Sequence, residues 1–200
     1  PYFASRVVYV SETGPKGKRI KRLAIMDQDG ANHRFLTNGQ SIVLTPRFAP
    51  NQQSIGYMSY ENDRPSIYVY DLGSGRPRRV VQNVSLTFAP RFSPDGRYIL
   101  FSMAQNGNTD IYRVSSAGGT PQRLTTSPGI DTGGSYSPDG SRIAFESDRS
   151  GGQQIYVMNA DGSNQQRISF GGGRYATPVW SPRGDLIAFT KLGGSFRIGT

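Results

Sequence analysis

The chain has 200 residues, 35% of them hydrophobic, with 25 Gly, 13 Pro, no Cys and a formal charge of +9. That length suffices for one domain with a core. The composition excludes disulfides and thiolate chemistry, and no apolar run approaches the roughly 18 residues a membrane-spanning helix needs.

The chain opens Pro1-Tyr2-Phe3, without a leader, and reads as a mature fragment. The first strand expected is Val7-Val8-Tyr9-Val10. A loop follows that is about four residues longer than its counterparts and holds Lys16, Lys18, Arg19, Lys21 and Arg22. Without these five, 18 basic residues stand against 14 acidic ones, so the high charge comes largely from this one hairpin. A solvated hairpin accounts for it more simply than nucleic acid or anionic lipid.

From Leu23 onward a period governs the chain. Phe48-Ala49-Pro50, Phe92-Ser93-Pro94, Tyr136-Ser137-Pro138 and Trp180-Ser181-Pro182 follow one another at steps of 44. Ile55, Ile99, Ile143 and Ile187 keep the same step, as do Tyr57, Phe101, Phe145 and Phe189 two residues on. An Ile and an aromatic two apart share one face of a strand. Ile67-Tyr68, Ile111-Tyr112 and Ile155-Tyr156 open a third strand, and Val80, Leu124 and Ile168 anchor a fourth.

Four short strands per repeat, with turn signals between them and no helical spacing, predict an all-β fold: the four-stranded antiparallel blades of a β-propeller. A sandwich has no reason to keep such a period. The strands are called A to D from the channel outward. A single propeller unit over residues 1–200 is expected, with blades near 1–44 (partial), 45–88, 89–132, 133–176 and 177–200 (partial). In this register the chain carries B, C and D of its first blade, three whole blades, and A, B and C of its last. The aromatics at 57, 101, 145 and 189 should be buried between blades.

Catalytic groupings are missing from the pattern. The one His, His33, belongs to a C–D turn and has no second His for a triad or metal site. Ser-Pro-Asp-Gly at 93–96 and 137–140, with Ala-Pro-Asn-Gln at 49–52 and Ser-Pro-Arg-Gly at 181–184 in its place, falls once per blade, as a structural turn would. Gly171-Gly172-Gly173 lacks the Lys and helix of a phosphate loop. Asp27, Asp71 and Asn159 share the position ending strand C and read as turn caps rather than calcium ligands. No metal, cofactor or nucleic-acid site is expected.

The Ser-Pro-Asp-Gly turn, the apolar strand after it and Ile155-Tyr156-Val157-Met158-Asn159-Ala160-Asp161-Gly162 resemble the PD40, or WD40-like, repeat of the TolB propeller family. Arg6-Val7-Val8-Tyr9-Val10 with Arg19 through His33 is similar to that family's first propeller repeat. Ile187 through Lys191, with Arg197-Ile198-Gly199, is similar to its fifth. The resemblance covers the whole chain. It implies a six-bladed propeller, of which this chain holds about four and a half blades and not the closing strand. It further implies a non-enzymatic periplasmic scaffold of the Tol-Pal envelope-integrity system, open to capture by bacteriocins. The implied partners are the lipoprotein Pal, at the mouth of the propeller channel, and TolA, through an N-terminal α/β domain outside this sequence.

By the same resemblance, Pal contacts lie in the D–A connections: Leu86, Thr87 and Ala89 before Pro90, and Ile130, Asp131 and Thr132 before Ser135. Repeat symmetry adds Ile42, Val43 and Leu44 before Pro46, and Arg174, Tyr175 and Ala176 before Pro178. Gly133-Gly134 departs from the pattern, where a Pro is expected. Independently of the resemblance, Ile42-Val43-Leu44, Leu86 with Phe88, Ile130 and Tyr175 are apolar residues in connections expected to be exposed. Arg47, Arg91 and Arg174 would ring them, an apolar centre with an Arg rim.

Two other readings remain. One is the gating propeller of a prolyl-oligopeptidase-type peptidase, which would need a hydrolase domain, although no G-x-S-x-G is present. The other is a propeller enzyme such as a polysaccharide lyase, which would line its channel with His, acids or metal ligands, whereas the channel side here offers mainly Arg47, Arg91 and Arg183.

Overall fold

The computed structural model describes residues 5–61, 64–81, 86–193 and 198–199. Val84, at the expected start of the second D–A connection, and Arg197 lie outside the described residues. Within them every regular element is a strand, and there are 18, the number that three, twelve and three strands require. The first sheet holds β1 (Arg6–Thr13), β2 (Ile20–Asp27) and β3 (Arg34–Phe35). The second holds β4 (Ile42–Phe48), β5 (Ser54–Glu61), β6 (Arg64–Asp71) and β7 (Arg76–Arg79). The third runs through β8 (Thr87–Phe92), β9 (Tyr98–Gln105), β10 (Asn108–Ser115) and β11 (Gln122–Arg123). The fourth is β12 (Asp131–Tyr136), β13 (Arg142–Ser147), β14 (Gln154–Asn159) and β15 (Gln166–Arg167). The fifth comprises β16 (Arg174–Trp180), β17 (Ile187–Leu192) and β18 (Ile198–Gly199).

Each sheet is an antiparallel meander in chain order, as short connections dictate. The A strands β4, β8, β12 and β16 each pack against the sheet before them. This is the radial blade arrangement of a β-propeller. The ring is open: among the described residues no extended contact joins the first sheet to the last.

The cores lie between sheets rather than within them. Leu23 and Ile25 of the first sheet meet Val43, Ile55 and Tyr57 of the second. Ile67, Val69 and Val80 meet Ile99, Phe101 and Met103 across the next seam, and Leu100 and Ile111 meet Ile143 and Phe145 across the one after. Tyr57, Phe101 and Phe145 are buried as the period predicts, each against the Tyr of its neighbouring C strand at 5.7, 6.0 and 5.8 Å between centroids. Phe189 is a correction. It is only half-buried, because it faces a cleft in the seam between the fourth and fifth sheets, lined by Met158 and Ile168 on one side and Trp180 and Leu186 on the other.

Every A strand carries a bulge at the same phase. The A–B register slips between Leu44 and Arg47, Phe88 and Arg91, Thr132 and Ser135, and Ala176 and Val179. In each case two residues oppose one, and that one is the core aromatic: Thr45-Pro46 stands across from Tyr57, Ala89-Pro90 from Phe101, Gly133-Gly134 from Phe145. The first bulge residue is left-handed in all four, with φ of 50° at Thr45, 56° at Ala89, 67° at Gly133 and 53° at Thr177. Three of these are not Gly, and each holds a conformation that costs an L-residue about 1–2 kcal/mol. The bulge bends the inner strand around the aromatic and re-aims the residues on either side of it.

Gly133-Gly134 follows from packing. A Cβ on Gly134 would come within 2.6 Å of Leu100 Cδ2 in the preceding blade. The positions equivalent to Leu100 in the other blades are Val8, Gly56, Ala144 and Ala188, and a Cβ on Gly56 would meet the Phe92 ring at 2.9 Å.

At the other end of the A strands lie the A–B turns. Ser93 Oγ donates to Asp95 Oδ1 at 2.6 Å, and Asp95 Oδ1 accepts the Arg97 amide at 3.0 Å. Ser137, Asp139 and Ser141 repeat the arrangement. These hydrogen bonds pull both carboxyls down to about 2. Gly96, Gly140 and Gly184 supply φ near +72° to +77° there, and Gln52 takes the position at 55°.

Candidate partner-binding surface

The D–A connections and B–C hairpins emerge on one face, opposite the A–B turns, and are bonded to each other there. Asn108 Nδ2 donates to Ser127 O at 2.8 Å, the Ile130 amide to Asp148 Oδ1 at 2.7 Å, and the Tyr175 amide to Gln153 O at 2.9 Å. The channel mouth is therefore built on a braced rim.

Within each connection the three candidate positions have three different fates. The first is exposed: Ile42 (51%), Leu86, Ile130 (51%) and Arg174. The second is buried: Val43, Thr87, Asp131 and Tyr175. The third, at Leu44, Phe88, Thr132 and Ala176, is half-buried beside the bulge, as is Ala89. The expectation that Val43 and Tyr175 stand exposed is thus corrected. Strand A pairs with strand B from Ile42, Thr87, Asp131 and Arg174 onward. Alternation along that ladder turns every second side chain into a blade seam.

The buried positions brace the rim. Asp131, fully buried, pairs through Oδ2 with Arg149 Nη2 at 2.8 Å. The Arg149 guanidinium also donates to Gln165 Oε1 at 2.7 Å and lies over the rings of Phe145 and Tyr156, at 5.4 and 4.9 Å. The hydroxyl of Tyr175 donates to Phe170 O at 3.0 Å. Thr132 Oγ1 donates to Glu146 Oε1 at 2.6 Å while the Thr177 amide donates to Oε2 at 3.1 Å, so one carboxylate ties the bulges of two neighbouring blades.

Arg47 and Arg91 do not ring the mouth. They lie beyond the bulge, in a channel groove with Phe48, Phe92, Pro94 and Pro138. Burial, with the like charge of Arg47, holds the Arg91 guanidinium below its ordinary value. Arg183 is an exposed turn residue paired with Asp185 at 3.1 Å. Of the expected rim, Arg174 stands at the mouth, lining a groove with Ile130, Asp148 and Arg149. Sequence reasoning passed over Phe170, 72% exposed in the last complete D–A connection. The available signal was a Phe placed directly before three consecutive glycines.

The polar clusters elsewhere serve the blades. Asp71 accepts the Ser74 amide at 2.7 Å and Asn159 donates to Ser163 Oγ at 2.9 Å, as turn caps. His33 is exposed in the C–D connection, edge-on to Phe35 at 5.0 Å. Among the described residues no three His, Asp or Glu side chains gather as a metal site would need.

A repeating four-stranded blade with a bulged inner strand, set around a braced mouth, defines a β-propeller. The chain belongs to the TolB β-propeller (PD40) family, whose model matches residues 1–200. It is 75% identical over 81 residues to the Tol-Pal system protein TolB of Zymomonas mobilis, a match covering 40% of this chain and 18% of that protein. It is 88% identical over 64 residues to the same-named protein of Rhizorhabdus wittichii, covering 32% of this chain and 15% of that protein. Its fold superposes on the crystal structure of TolB from Acinetobacter baumannii with a TM-score of 0.85 and 33% identity, over 99% of this chain and 50% of that one. The chain therefore spans about half the length of that solved relative. A prolyl endopeptidase structure, at 14% identity and TM-score 0.68 over 92% of this chain and 31% of its own, shares the fold alone.

Proposed function

We propose that this chain is the protein-binding propeller of a non-enzymatic, periplasmic Tol-Pal scaffold, and that the lipoprotein Pal docks on its D–A mouth. TolA would be engaged through an N-terminal domain outside this chain. The observation that carries the reading is the exposure of Ile42, Leu86 and Ile130 at one repeat position on three successive blades. Apolar side chains held out on a braced rim are what a folded partner can bury. In this reading Val43, Thr87, Asp131 and Tyr175 support the surface rather than touch the partner, and Leu44, Phe88, Ala89, Thr132 and Ala176 line the entrance.

Calorimetry of the full-length protein against soluble Pal tests it. Leu86→Ala and Ile130→Ala should each weaken binding by about 1–3 kcal/mol, and His33→Ala, in a C–D connection, should leave it unchanged. Equal affinities throughout would move the interface elsewhere. Failure of the wild type to bind would remove the proposal.

A further inference from the structure

The basic hairpin is part of the mouth face. It joins β1 to β2, so it is a B–C hairpin, and these share a face with the D–A connections. Arg22 Nε donates to Asn38 O in the first such connection at 3.3 Å. The hairpin also reaches further than its counterparts. Eighteen residues separate the cross-strand pair Val7 and Met26, against fourteen between the equivalent Ile55 and Tyr70. Two extra residues per strand extend it by about 7 Å.

Its charges are unspent. Residues 12 to 20 are all exposed, and among the described residues Lys16, Lys18 and Lys21 form no ion pair. Arg19 reaches Glu12 only at 3.8 Å, with both side chains about half exposed, a contact worth little in water. Arg22, by contrast, is turned back over the Phe35 ring at 5.0 Å and bonded to Thr13.

The acids divide between the faces. Asp27, Asp29, Asp71, Asp95, Asp139, Asp161 and Asp185 lie in or beside the A–B and C–D turns of the opposite face. On the mouth half Asp110 and Asp131 are held by Arg123 and Arg149, Glu61 by the Tyr68 hydroxyl, Glu146 by Thr132 and the Thr177 amide, and Asp148 by the Ile130 amide. The mouth connections Thr37–Ser41 and Thr125–Ile130, and the Asn106-Gly107 tip, carry no charge at all. Among the described residues, the mouth-face cations that lack an acid partner are therefore densest at one projecting corner. A nucleic-acid backbone needs a continuous basic track, which this face lacks. A point of charge beside an apolar rim fits the acidic flank of a folded protein.

Resting on the reading of the mouth as a docking site, we infer that the Lys16–Lys21 hairpin is its electrostatic arm, contacting an acidic patch on the flank of the protein that docks there. Such an arm acts mainly on the rate of encounter, and salt screens it. The apolar rim acts mainly on the rate of escape.

Association and dissociation rates of the full-length protein with soluble Pal, at about 50 and 500 mM salt, separate the two contributions. In the variant Lys16→Glu/Lys18→Glu/Lys21→Glu, association at low salt should slow by roughly tenfold or more and the salt dependence should flatten, with dissociation nearly unchanged. The triple Lys→Gln variant should fall between, and unchanged melting of both shows that the fold is intact. Wild-type rates in both variants, with wild-type binding intact, overturn the arm and leave the docking site standing. Absence of wild-type binding overturns both. Hairpin-dependent sedimentation with vesicles of about 30% phosphatidylglycerol, alongside unaltered Pal kinetics, overturns the protein contact in favour of a lipid one.

Discussion

The two faces of the propeller solve different problems with the same strands. On the turn face the solution repeats: Ser93-Pro94-Asp95-Gly96 and Ser137-Pro138-Asp139-Gly140 cap their own amides in the same way. On the mouth face equivalent positions diverge. Val43, Thr87, Asp131 and Tyr175 fill one structural slot with a methyl pair, a hydroxyl, an ion pair and a phenol. Where only a turn must close, one local chemistry suffices and recurs. Where each seam must be matched and a surface presented, the repeat keeps the backbone and releases the side chains.

The largest effect expected is at the mouth. Asp131→Ala strands the Arg149 guanidinium, whose side chain is 19% exposed. Breaking such a pair costs about 3–5 kcal/mol, and the partial exposure puts the loss near the lower end. Its neighbour in sequence, Ile130→Ala, should shift stability by less than about 0.5 kcal/mol. Urea denaturation of both variants checks the contrast, and equal midpoints would contradict the assignment of one residue to the seam and the other to the surface.

That alternation was the part least legible in the sequence. The period exposed the strands, their order and the buried aromatics Tyr57, Phe101 and Phe145, because each blade meets the same packing problem every 44 residues. It did not expose where the A–B ladder begins. A column reading Val, Thr, Asp, Tyr carries no hydrophobic pattern, and its shared burial comes from pairing with strand B and the seam beyond. The bulge was equally hidden, since Thr45, Ala89 and Thr177 do not announce a positive φ as Gly133 does. Phe189 departed from its column because the seam it faces, against the fourth sheet, holds a cleft where the other seams are filled.

On the turn face the effects are smaller. Gly96→Ala, at φ of 72°, should cost about 1–2 kcal/mol. At the equivalent position Gln52→Gly relieves strain and loses backbone entropy in similar amounts, so its net change should stay under about 0.5 kcal/mol. Thermal melting of the pair tests whether these turns are interchangeable.

The smallest effect is titrational. Asp95 and Asp139 have folded-state values of about 2, below the ordinary aspartate value near 3.9. Their contribution is complete above about pH 4 and is lost as pH falls towards 2. Asp95→Asn with Asp139→Asn should flatten the pH dependence of the denaturation midpoint in that window. Parallel curves for variant and wild type would show that the turn carboxylates do not supply it.

The contact between Leu100 and Gly134 bears on how the blades are ordered. The seam between the third and fourth sheets is fitted where Leu100 on strand B fills the space that a side chain on Gly134 of the next strand A would need. The seam before it is fitted differently: a Cβ on Gly56 would come within 2.9 Å of the Phe92 ring. Blades that share one backbone are therefore not exchangeable parts. Residues facing each other across a seam are sized for one another, and a duplicated blade could enter only by changing both.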